Sequence, residues 1–202
     1  MRICDGIFCT EGSCADVRRD GRLIPAIDID PAAIRVVLIS ESAPQAPEDC
    51  YYAPGDPLFA RTTREAFRDA GVAVASMGEL LASGVYCTAA VKCAKLRPVI
   101  SAGTIRACSV LLERELAPFR NVRAWLLMGD AAISAVNAIA KREGGARVIP
   151  AGSTYKLRSG AYFFRGARAF PSYLQAGPGF YIEKSKRAMI ADDIRAAMAL
   201  LP

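Results

Sequence analysis

"IRVVLIS", residues 34–40, is a short run of almost entirely aliphatic side chains. Such a run is typical of a strand that is buried on both faces, as in a parallel sheet. Around it, strand-like and helix-like segments alternate along the chain. We predict strands at 84–91, 122–129, 146–150, 161–164 and 167–170, and helices at 61–71, 101–119, 130–145 and 183–201. This alternation indicates an α/β domain with a central, mainly parallel sheet and helices on both faces.

The composition is that of a soluble globular protein. The 202 residues are 52% hydrophobic and 23% charged, which suits one domain spanning 1–202 with a full core. No apolar run approaches the roughly 20 residues that span a bilayer, and residues 4–11 do not resemble a signal peptide. We therefore expect a cytoplasmic monomer that has no membrane partner. A net charge of +6 weakly favours a polyanionic partner.

Histidine is absent from the chain. Its absence removes the usual general base, the usual zinc ligand beside cysteine, and every Ser–His or Cys–His nucleophile pair. Any chemistry must therefore use carboxylates, cysteines, lysines or a cofactor.

The seven cysteines are the second unusual feature. "CDGIFCTEGSC" (4–14) places Cys4, Cys9 and Cys14 within eleven residues, and Cys93 and Cys108 lie on later elements. A reducing compartment and an odd number of thiols both disfavour disulfides. Spacing alone leaves buried thiols, a four-cysteine zinc site and a metal cluster open. For the remaining two, Cys50 and Cys87, we expect simple burial.

Several segments, taken in order, resemble the iron–sulfur (family four) uracil-DNA glycosylases. Each segment is weakly specific alone, and the ordered set carries the resemblance. The matching segments are "LISESAP" (38–44), "EDCYYAPGDPLF" (48–59), "VYCTAAVKC" (85–93), "AWLLMGDAAISAV" (124–136) and "FPSYLQAGP" (170–178). The resemblance implies a three-layer α/β/α fold of the uracil-DNA glycosylase type and a 4Fe-4S cluster.

The resemblance also implies the ligands of that cluster. They would be Cys9 and Cys14 on an N-terminal ligand segment, together with Cys93 and Cys108. The family separates its two N-terminal ligands by two residues, whereas four residues separate each neighbouring pair here, so Cys4 remains an alternative to either. We expect the cluster to be structural, anchoring the N-terminal segment and the 93–108 loop to the core through metal-coupled folding.

The candidate catalytic residue is Glu41, which follows the first core strand. Ligands of open α/β sheets bind at the carboxyl ends of the strands, and the family motif carries a glutamate here that acts on water. A turn-capping role is the alternative. The resemblance makes Phe59 the aromatic that stacks on the base, with core packing as the alternative. It places the other base-binding positions at Ser42, Ala89 and Phe170.

Two of those positions depart from the family pattern. Ala89 stands where the family has the asparagine that reads uracil, and Phe170 stands where it has a histidine. A site without those hydrogen-bonding groups loses both rate and selectivity. We therefore expect hydrolysis of the N-glycosidic bond of another altered base in DNA rather than efficient uracil excision.

DNA contacts are expected around the last helix. The candidates are Ser172, Tyr173, Leu174, Lys184, Lys186 and Arg187. The basic side chains would bind phosphates, and Tyr173 or Leu174 would wedge the duplex. A solvated helix face is the alternative for the basic run. The alternative function is a catalytically inactive iron–sulfur module that binds nucleic acid or a nucleobase.

Overall fold

The computed structural model describes residues 1–10, 14–19 and 23–201. It is an α/β structure with one six-stranded sheet. The strands are β1 (Val17–Arg18), β2 (Val36–Ala43), β3 (Val85–Lys95), β4 (Ala124–Met128), β5 (Tyr162–Phe164) and β6 (Ala167–Ser172). The helices are α1 (Leu58–Asp69), α2 (Met77–Ala82), α3 (Ala102–Leu116), α4 (Asp130–Arg142), α5 (Thr154–Leu157) and α6 (Lys184–Met198).

The sheet has the order β1-β3-β2-β4-β6-β5. Its four central strands are parallel, and the two edge strands, β1 and β5, pair antiparallel with their neighbours. The central strand is β2, because Val36 pairs with Val85 on one side and with Ala124 on the other. The prediction of a mainly parallel sheet is confirmed.

Helices cover both faces of the sheet, which gives the expected three layers. Along β2, Val37 and Ile39 belong to the core beneath α3 and α4, while Val36 and Leu38 belong to the core beneath α1 and α6. All four side chains are fully buried. This double burial explains why the segment is apolar without alternation.

Local hydrogen bonds account for two differences from the predicted elements. The predicted strand at 146–150 is absent, because the Asn137 side chain pairs with both the N–H and the C=O of Ile149 at 3.0 Å. These are the groups that a neighbouring strand would otherwise bind. Helix α1 begins at Leu58 rather than at 61, because the carboxylate of Asp49 accepts a hydrogen bond from the Leu58 N–H.

Strand β3 is also longer than predicted, and this extension matters for the site. It continues to Lys95, where β1 pairs with it through Val17 opposite Lys95. The N-terminal segment is therefore joined to the end of β3. None of the helices in the described ranges is long and apolar enough to cross a membrane.

Candidate functional site

Four cysteines from three segments of the chain line one cavity. Cys93 lies on β3, Cys108 lies midway along α3, and Cys9 and Cys14 come from the N-terminal segment. The first two thiols are buried, and the other two are half-buried. These are the four ligands that the resemblance implies, and the fold brings them together around one space.

The donor set fits a four-iron cluster in number and kind, since such clusters are held by four cysteine thiolates. The space between the thiols is about 20 Å³, so the cavity would have to widen to hold a cluster. Within residues 1–10, 14–19 and 23–201, no three cysteine or acidic side chains converge closely enough to hold a single metal ion. A four-iron cluster does not need that convergence, because each thiolate binds a different iron atom.

The thiol of Cys108 is held in a defined position. Its sulfur accepts a hydrogen bond from the backbone N–H of Lys92 at 3.1 Å. Burial raises the pKa of the Cys108 thiol to about 11, although the Lys92 N–H opposes this shift. A metal at this position would have to displace a proton, so metal binding here would depend on pH.

A buried ion pair fixes β3 against α3 beside the cavity. The ammonium of Lys92 and the carboxylate of Glu115 are in contact, and their side chains are 1% and 0% exposed. Tyr86 and Thr88 each donate a hydroxyl hydrogen bond to Glu115 at 2.7 Å. The Lys92 ammonium also donates to Thr88 at 2.9 Å. This network holds the two elements that carry Cys93 and Cys108, and sequence reasoning did not find it.

The N-terminal segment is attached through Asp16. Its carboxylate accepts hydrogen bonds from the Ser101 N–H at 2.6 Å and from the Thr104 hydroxyl. Both groups belong to the start of α3, and Asp16 lies between Cys14 and β1. The pKa of Asp16 is lowered by these hydrogen bonds, against the opposing effect of burial. Asp16 thus places Cys14 close to the helix that carries Cys108.

A second cavity, which we call the Glu41 cleft, opens at the carboxyl ends of the parallel strands. Its volume is about 570 Å³. Strand β2 lies between β3 and β4, so the strand order reverses its direction next to β2. Open α/β sheets bind their ligands at such a reversal, outside the carboxyl ends of the strands. Five of the predicted DNA-contacting residues line the cleft together with Glu41: Ser172, Tyr173, Leu174, Lys186 and Arg187.

Glu41 has a charged partner. Lys95, at the end of β3, donates a hydrogen bond from its ammonium to the Glu41 carboxylate at 2.8 Å. Both side chains remain partly exposed, Glu41 by 22% and Lys95 by 31%. The carboxylate is therefore oriented and neutralised but still reachable from the cleft.

The predicted base-binding residues do not share that cleft. Ala89 lines a separate groove of about 330 Å³ beside Tyr51 and Tyr52. Phe59 is 9% exposed and packs against Tyr51, with ring centroids 5.4 Å apart. Phe170 and Ser42 are buried at the ends of their strands. Of the residues predicted for catalysis and base binding, Glu41 alone lines the cleft.

The predicted DNA-contacting side chains are mostly engaged within the protein. The Ser172 hydroxyl donates to Asp193 at 2.6 Å. Lys186 pairs with Glu183 at 2.6 Å and lies 5.5 Å from the centre of the Tyr173 ring. Arg187 donates to Asp69. Lys184 is exposed at the start of α6, outside the cleft lining.

Two exposed side chains of the cleft were not found from the sequence. Tyr155, on the short helix α5, is 70% exposed, and Ile182, just before α6, is 77% exposed. Neither residue belongs to an apolar periodic pattern. The only signal is an aromatic residue in the turn-rich stretch "PAGSTY" (150–155).

The comparisons with known proteins add no family assignment. No protein-family model matches the chain, and no curated protein matches it.

Proposed function

We propose that this protein is an iron–sulfur DNA glycosylase-like hydrolase that cleaves the N-glycosidic bond of an altered base. The observation that carries the proposal is the position of Glu41, in a cleft at the carboxyl end of the central strand. Base removal needs a group that places water or stabilises the developing positive charge on the sugar. A partly exposed carboxylate in a cleft suits either role.

Four residues would hold the 4Fe-4S cluster: Cys9, Cys14, Cys93 and Cys108. The convergence of these thiols around one cavity supports the resemblance, because three separate segments, the N-terminal segment, β3 and α3, meet there. The cluster would supply structural cross-linking when bound, joining the N-terminal segment to β3 and α3. The proposal includes a cytoplasmic location, because the reducing environment there keeps such thiols reduced. It also includes a monomeric protein that binds DNA.

The substrate would be a base other than uracil. Ala89 offers no hydrogen-bonding side chain, and Phe170 is buried and apolar. Loss of a transition-state hydrogen-bond donor costs about a hundred- to a thousandfold in rate, and two are absent here. Uracil release should therefore be slow compared with that of an enzyme carrying both groups.

The second candidate is binding of nucleic acid or a nucleobase without chemistry. Two observations favour it: Lys95 neutralises Glu41, and the predicted base-binding residues lie outside the Glu41 cleft, in a separate groove or in the core. An ammonium that already occupies the carboxylate competes with water for its oxygens.

A panel of oligonucleotides, each with one altered base, separates the two candidates. The proposal predicts that at least one substrate yields an abasic site, detected by strand cleavage after alkali. Binding of these substrates with no abasic product from any of them would favour the binding module.

A further inference from the structure

A further groove lies between α3 and α4. These two helices cover the face of the sheet opposite to α1 and α6. The volume of the groove is about 520 Å³. Three basic residues line it: Arg106 on α3, Lys141 at the end of α4, and Arg147 just beyond. All three are exposed, and small residues such as Ala138 and Gly145 border the space between them.

The positive charge of this groove is not neutralised within the described ranges. No acidic residue is among those that line it, and none of the three cations forms an ion pair with a described residue. Two nearby acidic residues, one on α3 and one just after α4, have other partners. Glu113 pairs with Arg142 at 2.7 Å, and Glu143 pairs with Arg165 at 2.5 Å.

In the Glu41 cleft, by contrast, the positive charges are neutralised by carboxylates. Its two basic residues are already paired, Lys186 with Glu183 and Arg187 with Asp69. A phosphate must compete with those carboxylates to bind in the cleft. The α3–α4 groove offers its cations without such competition.

The lining of the groove also indicates the kind of partner. Protein interfaces are anchored by large exposed apolar or aromatic side chains. The one large apolar residue of the groove, Ile105, is 7% exposed and packs in the core. Cations around a space bordered by small residues suit phosphate groups, which need charge and close approach rather than an apolar anchor.

We propose that the α3–α4 groove binds the phosphate backbone of a nucleic acid through Arg106, Lys141 and Arg147. This surface is separate from the Glu41 cleft and does not depend on any reaction there. It would hold a nucleic acid strand by charge, without reading its sequence.

The test compares two triple variants that lose the same charge. One replaces the groove cations, Arg106→Ala, Lys141→Ala and Arg147→Ala. The control replaces three exposed arginines outside the groove, Arg114→Ala, Arg120→Ala and Arg123→Ala. Both variants lower the net charge from +6 to +3. Binding to a fluorescent duplex and to the matching single strand is followed by anisotropy over a series of potassium chloride concentrations.

We expect the slope of log affinity against log salt to fall by about three for the groove variant, or about one for each lost phosphate contact. The control should keep the slope of the parent. Circular dichroism and iron content should be the same in all three proteins.

Equal losses in both variants would show that net charge alone binds the nucleic acid, and would overturn the proposal. So would an unchanged slope in the groove variant, or a parent that binds neither probe at low salt. Groove-dependent binding of polyglutamate in place of the duplex would point to an acidic protein partner instead. Absence of base excision would contradict the proposed function and leave this inference standing.

Discussion

The ammonium of Lys95 and the carboxylate of Glu41 are joined by a hydrogen bond of 2.8 Å. This contact links the two candidate sites, because Lys95 lies two residues beyond Cys93 on the same strand. Val17, which follows Cys14, pairs with Lys95 in the sheet. The carboxylate of the cleft is therefore held by the strand end to which the N-terminal ligand segment is attached.

Replacing Glu41 with glutamine tests the catalytic role of the carboxylate. The amide keeps the shape of the side chain but loses the charge that would order water or stabilise the sugar cation. We expect excision of the preferred base to fall by about a hundred- to ten-thousandfold, with DNA affinity retained. Single-turnover rates and binding isotherms measure the two effects. Glu48→Gln is the matched control, because Glu48 is an exposed acid outside the cleft. An unchanged rate in Glu41→Gln would place the active site elsewhere.

Tyr155 is expected to stack on a base that enters the cleft. Base–aromatic stacking contributes about 1–3 kcal/mol, so Tyr155→Ala should weaken binding of single-stranded DNA by roughly ten- to a hundredfold. Tyr155→Phe should retain binding, because the ring remains. Phe163 is a similarly exposed aromatic that does not line the cleft. If Phe163→Ala weakens binding as much as Tyr155→Ala, stacking in the cleft is not the cause.

The buried ion pair gives a stability prediction with a control on the same helix. Glu115→Ala leaves the buried Lys92 ammonium without a counter-ion, which should lower the free energy of unfolding by about 3–5 kcal/mol. Glu113→Ala removes a partly exposed ion pair with Arg142 and should cost only about 0–1 kcal/mol. Guanidinium chloride denaturation measures both. Similar losses in the two variants would mean that the buried pair contributes no more than a surface pair.

Asp193 should make stability fall as the pH rises. Burial raises the pKa of Asp193, although hydrogen bonds from Ser172 and Arg158 oppose the shift. Below the ordinary aspartate pKa of about 3.9, the group is protonated in both the folded and the unfolded chain. As the pH rises through the higher folded pKa, the buried carboxyl must ionise, and its contribution to stability is lost.

The free energy of unfolding of the parent should therefore fall relative to that of Asp193→Asn between pH 4 and neutrality. Denaturation curves of both proteins at several pH values measure this difference. Asp192→Asn, which removes an exposed carboxylate on the same helix, is the matched control. A parent that gains stability relative to Asp193→Asn as the pH rises would reverse the expected sign.

The core strands and the four long helices were predictable because burial leaves a direct record in the sequence, whereas β1, α2 and α5 were not predicted. The apolar run at 34–40 overlaps the first five residues of the central strand β2 (Val36–Ala43), and the helical spacing that includes Cys108 places that thiol on the buried side of α3. The prediction of a strand at 146–150 was wrong, because the side chain of Asn137 binds the backbone N–H and C=O of Ile149. Such a long-range contact leaves no periodic pattern.

The site was only partly predictable for a similar reason. The cysteines and Glu41 are unusual in type or position, so they can be identified before the fold is known. The burial of Phe59 depends on packing against Tyr51, and the exposure of Tyr155 depends on where α5 lies relative to β6 and α6. Both are properties of the assembled chain rather than of the local sequence.

The thiols can be assigned by substitution. Cys93→Ala and Cys108→Ala should each lose iron and melt at a lower temperature, because metal binding is coupled to folding. Cys50→Ala and Cys87→Ala are matched controls, since both thiols are buried and neither lines the cysteine cavity. Iron content and melting temperature are measured on the four variants. Equal iron loss in Cys87→Ala would mean that general destabilisation, not ligation, removes the iron.

Metal analysis of the protein purified without oxygen tests most directly whether this fold holds a four-cysteine cluster. We expect about four iron and four sulfide ions per chain, with broad absorption in the visible range that bleaches on reduction. Zinc in stoichiometric amount with no iron would contradict this expectation.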